Sequence, residues 1–182
     1  MEEAKLKGGF NKIGAIDDFA NFKEDEIKVK MTTPYIPIPI KQVVEWALRL
    51  KGLPYVFGTE QDGKENPTAE DCSELVQNAC DMNKVRPSMP DGAINQFYHC
   101  KHYKTLISVE KAQETFGALV FRITPPNNHV VFSLGNGMTF EAKGRTWGVG
   151  SWPLDIENRG WTNAALIPGV DYNQGEEKGE NQ

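Results

Sequence analysis

The sequence predicts an α+β domain in which helices come first and an antiparallel β-sheet follows. Two observations predict it. From residue 40 to about residue 100 the apolar residues recur at helical spacing, and from residue 117 onward the period switches to two, with turn residues between the runs. A block of helices followed by a block of strands is the pattern of one sheet with its helices gathered on a face.

Taken in order, the first 33 residues are mixed in charge, with "FKEDEIKVK" the densest run. Phe10, Ile13, Ile16, Phe19 and Phe22 recur there at near-helical spacing, so residues 1–33 read as an N-terminal extension or docking arm. Pro34, Pro37 and Pro39 in "TTPYIPIPI" forbid helix and favour a stiff, extended linker over residues 34–39, ahead of a domain spanning 40–172. In "KQVVEWALRLKG" Val43, Val44, Ala47 and Leu50 share a helical face, and Gly52 suits a C-terminal stop. A second helix runs through "AEDCSELVQNACDMN", with Cys72, Leu75, Val76, Ala79 and Met82 on one stripe, and a short third lies in "DGAINQFYH". "GALVFRI", "HVVFSL", "MTFEAK" and "WTNAALI" read as strands, and residues 173–182, polar and acidic, as a disordered tail.

Composition removes several function classes. A net charge of -5 with no Lys/Arg stripe argues against nucleic acid, and no run approaches the roughly 18 apolar residues of a membrane span. The start "MEEAKLKGGFNKIG" has no apolar signal run, so the expectation is a chain made in the cytoplasm without a signal peptide. Three cysteines with no C-x-x-C pair make a disulfide framework improbable. His99, Cys100 and His102 in "YHCKHY" crowd together without a second half, which favours a polar surface segment over a metal site.

Cys72 and Cys80 stand eight residues apart on the second helix, a rise of about 12 Å, beyond the reach of a disulfide. Cys80 falls in the helix interior as a small buried hydrophobe. Cys72 follows "PTAED" and falls in the first turn, where unpaired N–H groups and the helix dipole favour a thiolate. A packing cysteine on an apolar face is the competing reading. A base comes from His129, at the start of "HVVFSLGNGMTFEAK", a hairpin signal around Gly135, Asn136 and Gly137. A three-residue loop pairs Leu134 with Met138, sets His129, Val131, Ser133, Thr139, Glu141 and Lys143 on one face, and leaves Val130, Phe132, Leu134, Met138, Phe140 and Ala142 toward the core. Glu141 is then the diagonal neighbour of His129 and within side-chain reach. Nucleophile, base and orienting carboxylate are the parts of cysteine catalysis. A two-residue loop would turn Glu141 away.

These motifs, "GLPYVFG", "DCSELV", "GALVF" and "HVVFSLGNGMTFEA" in this order, resemble the NlpC/P60 family of papain-like cysteine peptidases over about residues 40–170. The resemblance implies a papain-like α+β fold, with Cys72 as nucleophile, His129 as general base and Glu141 as orienting residue. It also implies that Tyr55 lies beside the nucleophile, and that Asp71 and Ser73 help recognise the free amino end of a stem peptide. The backbone N–H of Cys72 is the natural oxyanion donor. Trp147 and Trp152, in "GRTWGVGSW", are candidates either to wall the cleft or to pack in the core. Four positions depart from the family pattern: Glu74 for glycine, Ala118 for aspartate, Phe57 for tryptophan and Thr59 for glycine. Glu74 adds a charge near the expected cleft.

Family members most often carry histidine, asparagine or glutamine as third residue, and "TFEAKGRTWGVG" is similar to a bacteriophage branch with glutamate there. The activity implied is cleavage of the γ-D-glutamyl–diamino acid bond of peptidoglycan, with no cofactor and no metal. The setting implied is a phage tail or release at lysis, with a tail hub or baseplate as partner of residues 1–39. Two alternatives stand beside it: an inactive virion structural or plug protein keeping the fold, and a thiol amidase or acyltransferase on another substrate.

Overall fold

The computed structural model describes residues 36–61 and 63–173. The extension expected over residues 1–33 lies outside them, as does the tail expected over residues 173–182 except for Asn173, whose N–H donates to Asp171 Oδ1 at 2.8 Å. Among the described residues four helices, α1 (Ile40–Leu48), α2 (Cys72–Met82), α3 (Ala93–His102) and α4 (Val109–Gln113), accompany eight strands. The strands are β1 (Ile38–Pro39), β2 (Leu106–Ile107), β3 (Phe116–Arg122), β4 (His129–Leu134), β5 (Met138–Gly144), β6 (Gly148–Pro153), β7 (Asn163–Ala165) and β8 (Val170–Asp171). Six of them form one sheet in the order β2-β7-β3-β4-β5-β6, each adjacent pair antiparallel. The last two residues of the proline-rich segment, Ile38 and Pro39, pair in parallel with Val170 and Asp171.

Helices α1, α2 and α3 pack on one face of this sheet, where their apolar stripes are covered, while Ala112 of α4 is buried on the other. Val43, Val44 and Ala47 of α1 and Leu75, Val76 and Ala79 of α2 join Leu119, Phe121, Val130, Phe132, Phe140 and Ala142 in a single buried cluster. Phe121, Phe132 and Phe140 are fully buried, each stabilising the fold by about 1.5–3 kcal/mol through apolar burial. Helix α1 stops at Leu48, four residues before Gly52, and Leu50 reaches the core from the turn that follows.

The β4–β5 hairpin has the expected register: Phe132 lies opposite Phe140 and Ser133 opposite Thr139. The three loop residues make this possible because Gly135 and Gly137 both take a positive φ, at 75° and 77°. The opposite face of the sheet departs from the sequence reading, which assigned the core to one side alone. Val120 and Val131 meet Ala112, Leu154 and Ala164 there in a second buried cluster, with Ile156 and Trp161 packed against it. His129, Ser133, Thr139 and Glu141 are therefore covered.

Strand β6 escaped the sequence reading because "GVGSWP" carries no period-two alternation. Its first residue fixes more than the strand. A Cβ on Gly148 would stand 2.5 Å from the carbonyl oxygen of Leu53, and Val149 N–H donates to that same oxygen at 2.9 Å. The 53–55 segment is thus clamped between β6 and the residues preceding α2.

Candidate active site

Asp71 organises the start of α2. Its Oδ1 accepts from the N–H groups of Ser73 and Glu74, each at 3.0 Å, and from the Ser73 hydroxyl at 2.9 Å. Its Oδ2 accepts from Gly58 N–H at 2.9 Å. One carboxylate therefore caps the helix and ties the 57–60 loop to it. Replacing Asp71 by alanine should lower stability by about 1–2 kcal/mol, read as a fall in the thermal midpoint.

Cys72 is the first residue of α2. Its side is nearly covered, and burial together with the Asp71 charge pushes the thiol up to about 11, against backbone hydrogen bonds from Val130 and Ser73 that favour the thiolate. The helix terminus alone was expected to favour a thiolate; desolvation and Asp71 outweigh it. The resting cysteine is a thiol that needs a base. Cys80 and Cys100 are fully buried. Burial raises both thiols, Cys100 to about 12.

His129 opens β4, next to the Val130 whose N–H reaches the Cys72 sulfur. Its Nε2 lies 2.7 Å from Glu141 Oε2. Glu141 is fully buried, and burial raises its carboxyl, yet hydrogen bonds from His129, Arg159 and Thr139 prevail and hold it down at about 2. An ionised carboxylate only accepts, so Nε2 carries a hydrogen, and in the neutral imidazole the lone pair is on Nδ1.

Tyr55 reaches this centre by another route. Val56 N–H donates to Glu70 O and Glu70 N–H to Pro54 O, both at 3.1 Å, so the 54–56 segment runs alongside 69–71. Burial, Cys72 and Asp71 raise the Tyr55 phenol to about 12, against Arg145, and keep it a hydrogen-bond donor.

A cleft of about 420 Å³ opens over Cys72, lined also by Asp71, Ser73, Glu74, Asp91, Phe57 and Asn128. Phe57 is 77% exposed at its edge. Trp147 lies outside this lining; it is 59% exposed on the β5–β6 turn with the Lys143 ammonium 5.2 Å from its ring centre. Trp152 shares that ammonium at 4.9 Å.

Glu74 behaves differently from a free charge added to a cleft. It is buried, and its Oε1 accepts from Gln61 N–H at 2.5 Å and from Asn78 Nδ2 at 3.5 Å, while Asn78 Oδ1 accepts from Gly63 N–H at 2.9 Å. The polar face of α2 is thereby stitched to the 57–63 loop, which explains why the helix is buried all round over Cys72–Cys80. Ala118 is buried in the second apolar cluster, where an aspartate would have required a partner.

Sequence reasoning missed Arg159 and Trp161. Arg159 Nη2 lies 2.7 Å from the same Glu141 Oε2 that meets His129, and the Trp161 ring stacks on the imidazole at 6.2 Å between centres. Arg159 sits in the irregular stretch after β6, where no motif or period marks it, and Trp161 opens the "WTNAALI" run, which reads as a strand with no role at the site. Among the described residues no group of three or more His, Cys, Asp or Glu is placed to hold a metal, and no helix is long and apolar enough to cross a membrane.

Comparison with known proteins gives a consistent result. The sequence profile of the NlpC/P60 family matches residues 52–167. Among curated proteins none matches significantly. Among solved structures the P60 domain of an antigen from M. avium subspecies paratuberculosis is similar, with 26% identity over 73% of this chain and 96% of that one, at a TM-score of 0.56. The peptidoglycan hydrolase RipB from Mycobacterium tuberculosis is 22% identical over 88% of this chain and 74% of its own, at a TM-score of 0.54. RipD from the same organism, described as a non-catalytic NlpC/p60 domain protein adapted to peptidoglycan binding, is 19% identical over 70% and 96%, at a TM-score of 0.53. The latter two show the shared α+β fold.

Proposed function

Because the chain belongs to the NlpC/P60 family, we propose that it is a cysteine peptidase acting on the peptide stems of peptidoglycan, cutting the γ-D-glutamyl–diamino acid bond. The observation that carries this reading is the His129–Glu141 pair, 2.7 Å long and buried, beside a cysteine at a helix N-terminus in an open cleft. RipD shows that the fold also serves binding alone; here a thiol, an imidazole and a carboxylate are all retained.

In this reading His129 Nδ1 takes the Cys72 proton as the sulfur attacks the carbonyl carbon. Negative charge on the carbonyl oxygen is met by the backbone N–H of Cys72 at the first turn of α2, with the Tyr55 phenol alongside as a second donor. Collapse returns the proton from His129 to the departing amine, and water delivered by the same imidazole hydrolyses the thioester. Asp71, Glu74 and Asp91 give the cleft an acidic wall, which suits a substrate with a free amino end.

The test is digestion of purified peptidoglycan, with new diamino acid amino termini measured by mass spectrometry. Wild-type protein is expected to release them, and protein first alkylated with iodoacetamide to release none. Absence of product from untreated protein on both diaminopimelate- and lysine-type walls would overturn the reading in favour of a binding or structural role. Product from the fully alkylated protein would overturn the thiol mechanism.

A further inference from the structure

Resting on that reading, we propose that Arg159 is a positioning residue of the couple: it shares one oxygen of Glu141 with His129 and so cancels most of the carboxylate's charge. Glu141 then orients the imidazole without holding a proton on it. Both contacts to Oε2 are 2.7 Å long. The guanidinium is held in place independently of the carboxylate. Its Nη1 donates to Pro153 O at 2.9 Å and approaches Thr139 Oγ1 at 3.4 Å, and its carbon lies 4.6 Å from the centre of the Trp161 ring. Trp161 is anchored in turn by its indole N–H on Leu154 O at 2.6 Å, and stacks within 20° of parallel on His129. The segment after β6 thus delivers a cation and a ring to the imidazole as one unit.

The other charged or titratable groups facing His129 are few. Arg122 of β3 lies directly across from it and spends Nη1 on Arg159 O at 3.3 Å. Cys72, with the Asp71 charge beside it, meets the N–H of Val130, the next residue along β4. A bare carboxylate at 2.7 Å would favour the protonated imidazole and withdraw the base at mildly acid pH; a carboxylate paired with Arg159 leaves Nδ1 free to accept.

The experiment measures the rate of Cys72 alkylation by iodoacetamide on the full chain from pH 5 to 9.5, by peptide mass. Cys80 and Cys100 are buried and serve as internal standards. In Arg159→Gln the acid limb of the profile should move up by about half a unit to one unit, cutting the rate at pH 6 about threefold to tenfold while the alkaline plateau holds within about threefold. Arg159→Lys should restore the wild-type limb. The double variant Glu141→Gln/Arg159→Gln exchanges a neutral pair for a neutral pair and leaves no unpaired buried charge; its limb should return to within about 0.3 unit of wild type, below Arg159→Gln and above Glu141→Gln. This variant decides the matter if Arg159→Gln does not fold. A loss of rate at all pH values with the limb unmoved, or a double variant that matches Glu141→Gln, would overturn the role of Arg159. A wild-type profile that rises only as a lone thiol near its raised value, with no acid limb, would overturn the Cys72–His129 couple itself, an outcome visible before any variant is made.

Discussion

Cys72→Ala is expected to lower peptidoglycan hydrolysis by about 10³-fold or more, with stability within about 1 kcal/mol of wild type. The size of the effect follows from the absence of a substitute. Cys80 and Cys100 are fully buried, one inside α2 and one inside α3, and no serine or threonine in the cleft sits beside the Val130 N–H and the His129 strand as Cys72 does. Without sulfur the imidazole has nothing to deprotonate, and the cleft can only bind. The small stability effect follows from the cap: Asp71 holds the first turn through the N–H groups of Ser73 and Glu74, neither of which the substitution touches. Product release and thermal midpoint measured on one preparation separate the two effects. Cys80→Ala is the matched control, destabilising as a small core cavity does while leaving hydrolysis in place. Equal hydrolysis by Cys72→Ala and wild type would reject the cysteine mechanism.

What the sequence made legible was periodic or local. The α2 stripe and the β4–β5 hairpin follow from spacing alone, and the Gly-Asn-Gly loop carried the register that puts Glu141 within reach of His129. What it hid were the contributions of irregular chain. Arg159 lies 18 residues beyond Glu141 in a stretch with no period, and only the path of that stretch across the sheet makes it a partner of the carboxylate. Glu74 reads in the sequence as a charge beside the substrate, because Gln61, whose N–H it accepts from, meets it only through the tertiary fold, although Asn78 stands four residues along the same helix. The thiol shows the same limit. The helix terminus, a local feature, favours a thiolate, whereas burial acts through the tertiary structure and, with the charge of the adjacent Asp71, wins.

Glu141→Ala is expected to destabilise the protein by about 3–5 kcal/mol, because it leaves the Arg159 guanidinium without its counter-charge in a covered site. The pH dependence gives an independent measure of the same interaction. Burial alone would raise this carboxyl, but His129, Arg159 and Thr139 hold it at about 2, below the ordinary value of 4.5. The unfolded chain therefore binds the proton more tightly than the folded one. The contribution is fully present above about pH 4.5 and is lost as pH falls through the folded value near 2, amounting to about 3 kcal/mol across that window. Urea unfolding of the wild type should show the midpoint falling steeply from pH 4.5 toward 2, and in Glu141→Ala that slope should flatten even though the midpoint at neutral pH is lower. Parallel slopes in the two proteins would mean that the acid-labile stability resides in other carboxylates, and that the short contacts at Glu141 are matched by the cost of burying its charge.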